Sequence, residues 1–275
     1  MSRLPILAYH GVNIAGNEYA TNDHVALAAD LETVDRLGWR IVPLPAVVER
    51  WLAGDPAWAG ERTLALTFDD GTDFDWHDLP HPIHGMQRSL FNVLADFGAA
   101  RSREVHATTF VVVSRETREH IDRVGLADRG WWTDAWWRDA AASGRAAVAS
   151  HSWDHNHELV AHLMERPRAT GTFRTIDRFD LAEDEIARAS AHLKRVAPNP
   201  GDRLFAYPYG ESNDYLVREY LPGEHARIGI DAAFGDGARP MTGGDGRWTI
   251  PRYVCGRDWR SPRDLEALLR DAAGR

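Results

Sequence analysis

The chain has little cysteine, no excess of positive charge and no long hydrophobic run. Its 275 residues include one cysteine, Cys255, which excludes an intrachain disulfide and a metal cluster held by several thiolates. The formal net charge of −9 does not favour a nucleic acid or an anionic membrane as a partner. No stretch approaches the roughly 20 apolar residues that cross a bilayer. Only residues 1–3 precede the first apolar strand, without the apolar segment of a signal peptide, so we expect a cytoplasmic protein.

The composition is that of a globular protein, and strand patterns alternate with helix patterns. Hydrophobic residues make up 44% of the chain and charged residues 27%, which allows a sizeable core. Apolar runs predict strands near residues 4–10, 39–42, 63–68, 105–113, 146–150, 204–207, 232–234 and 248–254. Helical patterns occur near residues 23–37, 45–52, 86–97, 133–143 and 181–196 and after Ser261. This alternation predicts parallel βαβ units in one α/β domain spanning residues 1–275, with the sheet closed into a barrel.

One apolar strand ends in two adjacent carboxylates. Residues 64–68 carry no charge, as expected of a strand buried on both faces, and Asp69, Asp70 and Gly71 follow them. Carboxylates beside an apolar interior are costly unless they are paired or bind a cation. Neighbouring side chains of a strand point in different directions, so one acid can bind a metal while the other handles a proton. A simple Asp-Asp-Gly turn is the alternative interpretation.

Histidines follow a second apolar strand. Residues 146–150 lead into His151, and His155 and His157 come shortly after it. Histidines four residues apart can converge on one ion, and two imidazoles with one carboxylate form a common catalytic metal site with an open water position. Asp70, His151 and His155 would supply that set from the carboxyl ends of strands. A solvated histidine-rich loop is the alternative interpretation.

These segments resemble the motifs of polysaccharide deacetylases of the NodB-homology type (carbohydrate esterase family 4). Thr-Phe-Asp-Asp-Gly at 67–71 matches the first motif, and His-Ser-Trp-Asp-His at 151–155 matches the second. Phe-Ala-Tyr-Pro-Tyr-Gly at 205–210 aligns with the third. The resemblance covers most of the chain and implies an irregular (β/α)7 barrel.

The resemblance also implies roles for individual residues. Asp70, His151 and His155 are expected to bind one divalent metal ion, with Zn²⁺ favoured and Co²⁺ and Ni²⁺ as alternatives. Asp69 is expected to act as the base. The backbone N–H of Tyr209 is expected to help hold the developing oxyanion.

The chain departs from the family in two motifs. The third motif usually contains an arginine that pairs with the catalytic aspartate, but Ala206 stands there. The usual C-terminal Leu-x-His, whose histidine is the general acid, is absent after residue 225. Residues 5–12 instead resemble the start of the branch that deacetylates poly-N-acetylglucosamine, in which the barrel is circularly permuted. His10 is therefore the candidate general acid, and a histidine that only caps a strand end is the alternative.

Two residues near the C-terminus are candidate partners of these catalytic groups. Arg252 lies on a late strand and could reach Asp69 in place of the missing arginine, close to the substrate. Asp258 could orient His10, since a carboxylate commonly fixes an imidazole. Residues 72–145 form a longer stretch than the family needs between its first two motifs, so we expect an insertion there.

Aromatic residues are candidate platforms for a sugar ring, because its C–H edges stack on aromatic faces. Of the eleven tryptophans, Trp76 and Trp153 lie within the site motifs. Tyr207 belongs to the third motif, and Trp259 resembles a tryptophan that borders the acetate pocket elsewhere in the family. The cluster of four tryptophans within 131–137 has helical spacing, which predicts packing in a core or a lid.

A proline-broken loop at 73–84 follows the catalytic strand and is predicted to roof the pocket. Its three histidines are irregularly spaced. We expect them to contact substrate or to pack within the loop, and a second metal site is the alternative interpretation.

Together these patterns predict a metal-dependent deacetylase that cleaves the linear amide C–N bond of an N-acetylated saccharide or glycoconjugate. Two alternatives stay open. One is a hydrolase of a non-sugar C–N bond, as in the imidase and allantoinase-like relatives on the same fold. The other is a catalytically silent carbohydrate-binding protein, which Ala206 favours slightly and the intact acids and histidines disfavour.

Overall fold

The computed structural model describes residues 2–126, 128–164 and 166–274. Within these ranges, seven parallel strands form a curled sheet with helices packed around it. The strands of the described chain are β1 (Arg3–Leu4), β2 (Ile6–His10), β3 (Arg40–Ile41), β4 (Thr63–Asp69), β5 (Leu79–His81), β6 (Gly85–Gln87), β7 (Ala107–Val111), β8 (Ala146–Ser150), β9 (Leu204–Ala206), β10 (Ala232–Phe234), β11 (Met241–Thr242) and β12 (Tyr253–Val254).

Helices connect the strands. They are α1 (Asp23–Arg36), α2 (Leu44–Leu52), α3 (Asp73–Trp76), α4 (Leu90–Arg101), α5 (Arg115–Gly125), α6 (Trp137–Ala142), α7 (Phe179–Ala182), α8 (Arg188–Val196), α9 (Leu221–Ile228) and α10 (Pro262–Ala272). A π-helical turn, Glu183–Ala187, joins α7 to α8, and another, Leu216–Tyr220, leads into α9. Short 3₁₀ turns are Tyr19–Thr21, Glu158–Val160, Phe173–Thr175, Pro200–Arg203 and Pro208–Gly210.

The sheet has the order β10-β9-β8-β7-β4-β2-β12, and β3 adds to one end of β4. Residues 247–250 exchange backbone hydrogen bonds with β10, whereas β12 pairs with β2 at the opposite edge. One late segment therefore joins the two edges of the sheet. In the register of β2 and β4, His10 lies opposite Asp69, so both residues stand at the carboxyl ends of neighbouring strands.

The apolar core has two parts because the side chains of buried strands alternate between the two faces of the sheet. Leu64, Leu66 and Phe68 of β4 face the cluster that includes side chains of α1 and α4. Ala65 faces the other cluster, which fills the inside of the curled sheet with Phe110, Phe234 and small side chains. Polar groups at the strand ends therefore emerge above a packed interior.

The predicted α/β barrel of one domain is confirmed, and β8 and β10 have the predicted bounds. The strand predicted at 248–254 is shorter, because its two halves bond to opposite edges of the sheet. A hairpin, β5–β6, precedes α4 where a helix from residue 86 was expected. The helix α5 was missed because its buried face carries Thr117, Arg118 and Asp122, which gives no apolar periodicity. In the described ranges, no helix is both long and apolar enough to cross a membrane.

Candidate active site

One carboxylate and two imidazoles converge at the carboxyl ends of β4 and β8. The candidate ligand atoms of Asp70, His151 and His155 all lie within 4.8 Å of one another. The Nε2 atoms of the two histidines lie 3.8 and 3.6 Å from one Asp70 oxygen. A carboxylate with two neutral imidazoles is the donor set of catalytic divalent metals. The residues present therefore fit such an ion.

Both histidines are held in the neutral form that binds a metal. Burial lowers the pKa of His151 below its ordinary value, although Asp69 and Asp70 oppose the shift. Burial, with the neighbouring His151 and His157, also lowers the pKa of His155. His151 Nδ1 lies 2.9 Å from the carbonyl oxygen of Ala206, which leaves Nε2 for the metal.

A tight loop brings His155 back towards His151. Ser152, His155 and Asn156 have φ values of 72°, 65° and 46°, which non-glycine residues rarely adopt. The backbone N–H of His155 donates to Ser152 Oγ at 2.9 Å. Beneath the loop, the buried Arg168 guanidinium contacts the carboxylates of Asp154 and Glu185. The His-Ser-x-x-His spacing is therefore realised as a strained, internally hydrogen-bonded loop.

Asp70 sits at a sharp reversal of the chain. It has φ 71°, and Gly71 follows with φ 73°. A Cβ atom on Gly71 would lie 2.4 Å from a methyl carbon of Val111, so only glycine fits there. This close approach to β7 turns the Asp70 carboxylate towards the two histidines.

Asp69 is paired with Arg252 by two hydrogen bonds. Nη1 and Nη2 of Arg252 donate to the two carboxylate oxygens of Asp69 at 2.7 and 2.8 Å. Burial alone would raise the pKa of Asp69, but the Arg252 guanidinium outweighs it and holds this pKa below its ordinary value. The contact expected from position and charge is therefore present. Ala206 lies in the interior cluster beside Phe110 and Phe234.

His10 is held by Asp23, the first residue of α1. The backbone N–H of His10 donates to Asp23 Oδ2 at 2.7 Å, and His10 Nδ1 lies 3.9 Å from the same oxygen. The expectation that Asp258 orients His10 is wrong, because its Oδ2 accepts the Val254 N–H at 2.7 Å and both of its oxygens bind Arg257. The sequence does not mark Asp23 as a partner of His10, because its only local signal is the start of a helix after the N-cap Asn22.

These groups line a pocket of about 200 Å³. Its wall contains His10, Asp69, Asp70, His151, His155, Tyr209, Gly210, Asp236, Arg252, Val254 and Arg257. The Tyr209 ring packs edge-on against His155 at 4.6 Å and is 39% exposed. Arg257 and Asp236 form an ion pair of 2.8 Å in the same wall. Neither residue was a sequence candidate, because no local motif marks them.

The tryptophans and the tyrosine expected to stack on sugar lie elsewhere. The expectation that Tyr207 and Trp259 contact the substrate is wrong, because both side chains are buried. The Tyr207 hydroxyl donates to the carbonyl of Trp248, and Trp259 Nε1 donates to Asp30. The Tyr207 and Trp259 side chains are therefore part of the core and do not face a ligand in the pocket.

Trp76 and Trp153 are half-buried but do not belong to the pocket wall. Trp76 stacks on Trp136 at 6.1 Å, which covers one face of its ring. The ring of Trp153 is covered by the Arg188 guanidinium at 3.9 Å. A stacking role for either ring does not fit these positions.

The segment between the two metal motifs packs most of its tryptophans into the interior. Trp132, Trp136 and Trp137 are buried, as packing in a core predicts. In the loop before α4, the rings of His81 and His84 stack at 4.8 Å. Across the described ranges, Asp70, His151 and His155 form the one cluster with metal-binding geometry, so a second metal site in this loop finds no support.

Comparison with known proteins places this arrangement in a family. The family model of polysaccharide deacetylases matches residues 58–221. A comparison with curated proteins gives no match.

Solved structures share the fold at low identity. The chain resembles the deacetylase PplD of Streptococcus pyogenes in complex with acetate, with a TM-score of 0.64 and 15% identity over 97% of this chain and 98% of that one. It resembles IcaB from Ammonifex degensii with a TM-score of 0.62 and 21% identity over 98% and 97%. A de-N-acetylase from Aggregatibacter actinomycetemcomitans gives 0.63 and 15% over 96% and 100%.

Proposed function

Because this chain belongs to the polysaccharide deacetylase family, we propose that it is a metal-dependent hydrolase that removes N-acetyl groups from an amino-sugar-containing carbohydrate. The observation that carries the proposal is the pair of adjacent acids with separate partners. Asp70 faces two imidazoles, whereas Asp69 is bound through both oxygens to Arg252. One acid is therefore available to a metal and the other to a proton.

Asp70, His151 and His155 would hold the metal, with Zn²⁺ as the first choice and Co²⁺ or Ni²⁺ as alternatives. A divalent ion bound there polarises the amide carbonyl and acidifies water. The buried histidines have lowered pKa values, so metal binding would release few protons from them at neutral pH.

Asp69 takes up a proton from the attacking water. Its pKa is held low, chiefly by Arg252 against the effect of burial, so it is ionised and ready to accept a proton at neutral pH. Arg252 also fixes the direction of the carboxylate, because two parallel hydrogen bonds allow little rotation. The backbone N–H of Tyr209 hydrogen-bonds the developing oxyanion, a contribution that amounts to a few kcal/mol per donor in other enzymes.

His10 delivers a proton to the departing nitrogen. The C–N bond breaks, the amine leaves with the proton from His10, and the acyl group leaves as acetate. His10 stands opposite Asp69 in the register of β2 and β4, so base and acid approach the bond from neighbouring strands. Asp23, which contacts His10, is placed to stabilise the protonated imidazole.

The two alternative functions have less support from the site. The missing arginine at Ala206 favours a silent sugar-binding protein, but Arg252 supplies the pairing from the segment that leads into β12. Hydrolysis of a non-sugar C–N bond has no feature of the pocket in its favour.

A substrate panel separates these functions. The purified protein is incubated with N-acetylglucosamine oligomers, an O-acetylated sugar and a cyclic imide, with and without a chelator. The proposal predicts chelator-sensitive acetate release from the N-acetylated oligomers alone. Ring opening of the imide would support the non-sugar hydrolase, and binding of the oligomers without turnover would support the silent protein.

A further inference from the structure

A tryptophan from the segment between the two metal motifs contacts the backbone of a proposed metal ligand. Trp132 Nε1 donates to the carbonyl oxygen of Asp70 at 3.0 Å. The backbone N–H of Val112 donates to the same oxygen at 3.1 Å. We propose that Trp132 is a positioning residue that holds Asp70 in its metal-binding conformation, an inference that rests on the proposed metal site.

Asp70 needs such support because its backbone is in a disfavoured conformation. A residue with a Cβ atom at φ 71° is in the left-handed region, where the Cβ atom crowds the following carbonyl oxygen. Among the ion pairs of the described ranges, Arg252 pairs with Asp69, whereas the Asp70 carboxylate has only His151 and His155 near it. Two donors on the carbonyl fix the orientation of the peptide unit that carries the carboxylate.

Trp132 is itself fixed by buried charged groups on both sides. Arg118, buried in α5, donates to the Trp132 carbonyl at 3.0 Å. The backbone N–H of Trp131 donates to the carboxylate of the buried Asp122 at 2.9 Å. The backbone carbonyl of Trp131 accepts the Asp73 N–H at 2.7 Å. The indole therefore comes from a segment whose backbone is hydrogen-bonded to Arg118, Asp122 and Asp73.

The Trp132 ring also lies in a buried cluster that includes the chain after the second metal motif. It shares a buried cluster with Val112, Ile121 and Val160. Val160 belongs to the 3₁₀ turn directly after His157, so this cluster joins Trp132 to the segment that follows the second proposed metal motif. This arrangement gives the stretch 72–145 a role in shaping the metal site.

The chain offers a matched control for the hydrogen bond. Trp137 is buried, at 1% exposed against 8% for Trp132, and its Nε1 has no hydrogen-bond partner among the described residues. Phenylalanine at either position removes an indole of the same size from a buried cluster. Only at position 132 does it also remove a donor to Asp70.

The test is zinc affinity, measured by competition with a chromophoric chelator for the wild type, Trp132→Phe and Trp137→Phe. We expect Trp132→Phe to raise the Kd at least tenfold, and Trp137→Phe to leave it within about twofold, in line with the loss seen when an outer partner of a metal ligand is removed. Equal Kd values for the two variants would overturn the inference. A wild type that binds no zinc would contradict the proposed function, and the inference with it.

A second variant covers the case in which Trp132→Phe does not fold. Asp122→Asn keeps the indole and most of the local volume but weakens the anchor of Gly130 and Trp131. We expect it to raise the Kd for zinc by severalfold, with an unchanged far-UV circular dichroism spectrum. A wild-type Kd in this folded variant would count against positioning from this segment.

Discussion

Arg252 binds both carboxylate oxygens of Asp69, at 2.7 and 2.8 Å, from a position just before β12. Its guanidinium lies 5.3 Å from the ring centroid of Phe110 and is buried inside the curled sheet. The pairing that the third motif usually supplies at Ala206 therefore comes from the segment that leads into β12. The charge reaches the same acid because the long Arg252 side chain lies inside the curled sheet beside Phe110.

Replacing Arg252 should change the pH dependence of the reaction. In Arg252→Met, Asp69 loses the main group that opposes the effect of burial, so its pKa should rise from the depressed value of the wild type. The acid limb of the kcat/KM profile should therefore move to higher pH. We also expect kcat/KM at its optimum to fall about 100-fold, because the carboxylate loses its orientation.

Arg252→Lys is the matched control, since it keeps the positive charge and loses the two parallel hydrogen bonds. Its acid limb should stay near that of the wild type while kcat/KM falls. Identical pH–rate profiles for the wild type and Arg252→Met would show that Arg252 does not tune Asp69.

His10 should be required for turnover and dispensable for metal binding. His10→Gln removes the proton donor to the leaving amine, which predicts a loss of about 10²-fold to 10⁴-fold in kcat. Its zinc content should equal that of the wild type, because His10 is not one of the clustered ligands. Asp23→Asn should give a smaller loss. A His10→Gln variant with wild-type kcat would remove His10 from the mechanism.

Asp30 should make the fold less stable as the pH rises through about 6. Tyr9, Tyr19 and Trp259 donate to its carboxylate, yet burial raises the pKa of Asp30 to about 6. The folded state then holds a proton that the unfolded state loses near pH 4. The stabilisation is thus full below pH 4 and is lost as the pH passes 6, a change of roughly 3 kcal/mol.

Chemical denaturation from pH 4 to pH 7 measures this effect. The unfolding free energy of the wild type should fall by about that amount relative to Asp30→Asn, which has no proton to lose. Parallel curves of unfolding free energy against pH for the two proteins would contradict the raised pKa of Asp30.

Arg168 should be among the residues on which the stability of the second metal motif depends. Its guanidinium is buried against Asp154 and Glu185, so Arg168→Met leaves two acids without their cation and should cost about 3–5 kcal/mol of unfolding free energy. Arg166→Met is the control, because Arg166 pairs with Asp180 and Asp184 at the surface and such pairs contribute about 1 kcal/mol or less. Equal losses in urea denaturation would contradict this account.

The sequence predicts those parts of the site that lie in short motifs at strand ends. Asp69, Asp70, His151 and His155 were found because an apolar strand followed by acids or imidazoles is visible locally. The alternation of strands and helices likewise indicates the barrel, since each parallel strand needs a connection of its own.

The sequence does not predict partners that meet only after folding. Asp23 binds His10 across thirteen positions, and Trp132 reaches Asp70 across sixty-two. Neither contact follows from periodicity or spacing. The prediction for Trp259 and Tyr207 was wrong for the same reason. Aromatic side chains can contact a sugar, but packing around Asp30 and Trp248 buries these two.

The most direct test of the account is metal-dependent acetate release by the wild type and Asp69→Asn. Both proteins are stripped with a chelator, reloaded with zinc and assayed on an N-acetylglucosamine oligomer. We predict that the wild type loses activity on stripping and regains it with zinc, whereas Asp69→Asn binds the same amount of zinc and releases no acetate. Acetate release by zinc-loaded Asp69→Asn at the wild-type rate, or by the wild type without metal, would contradict the account.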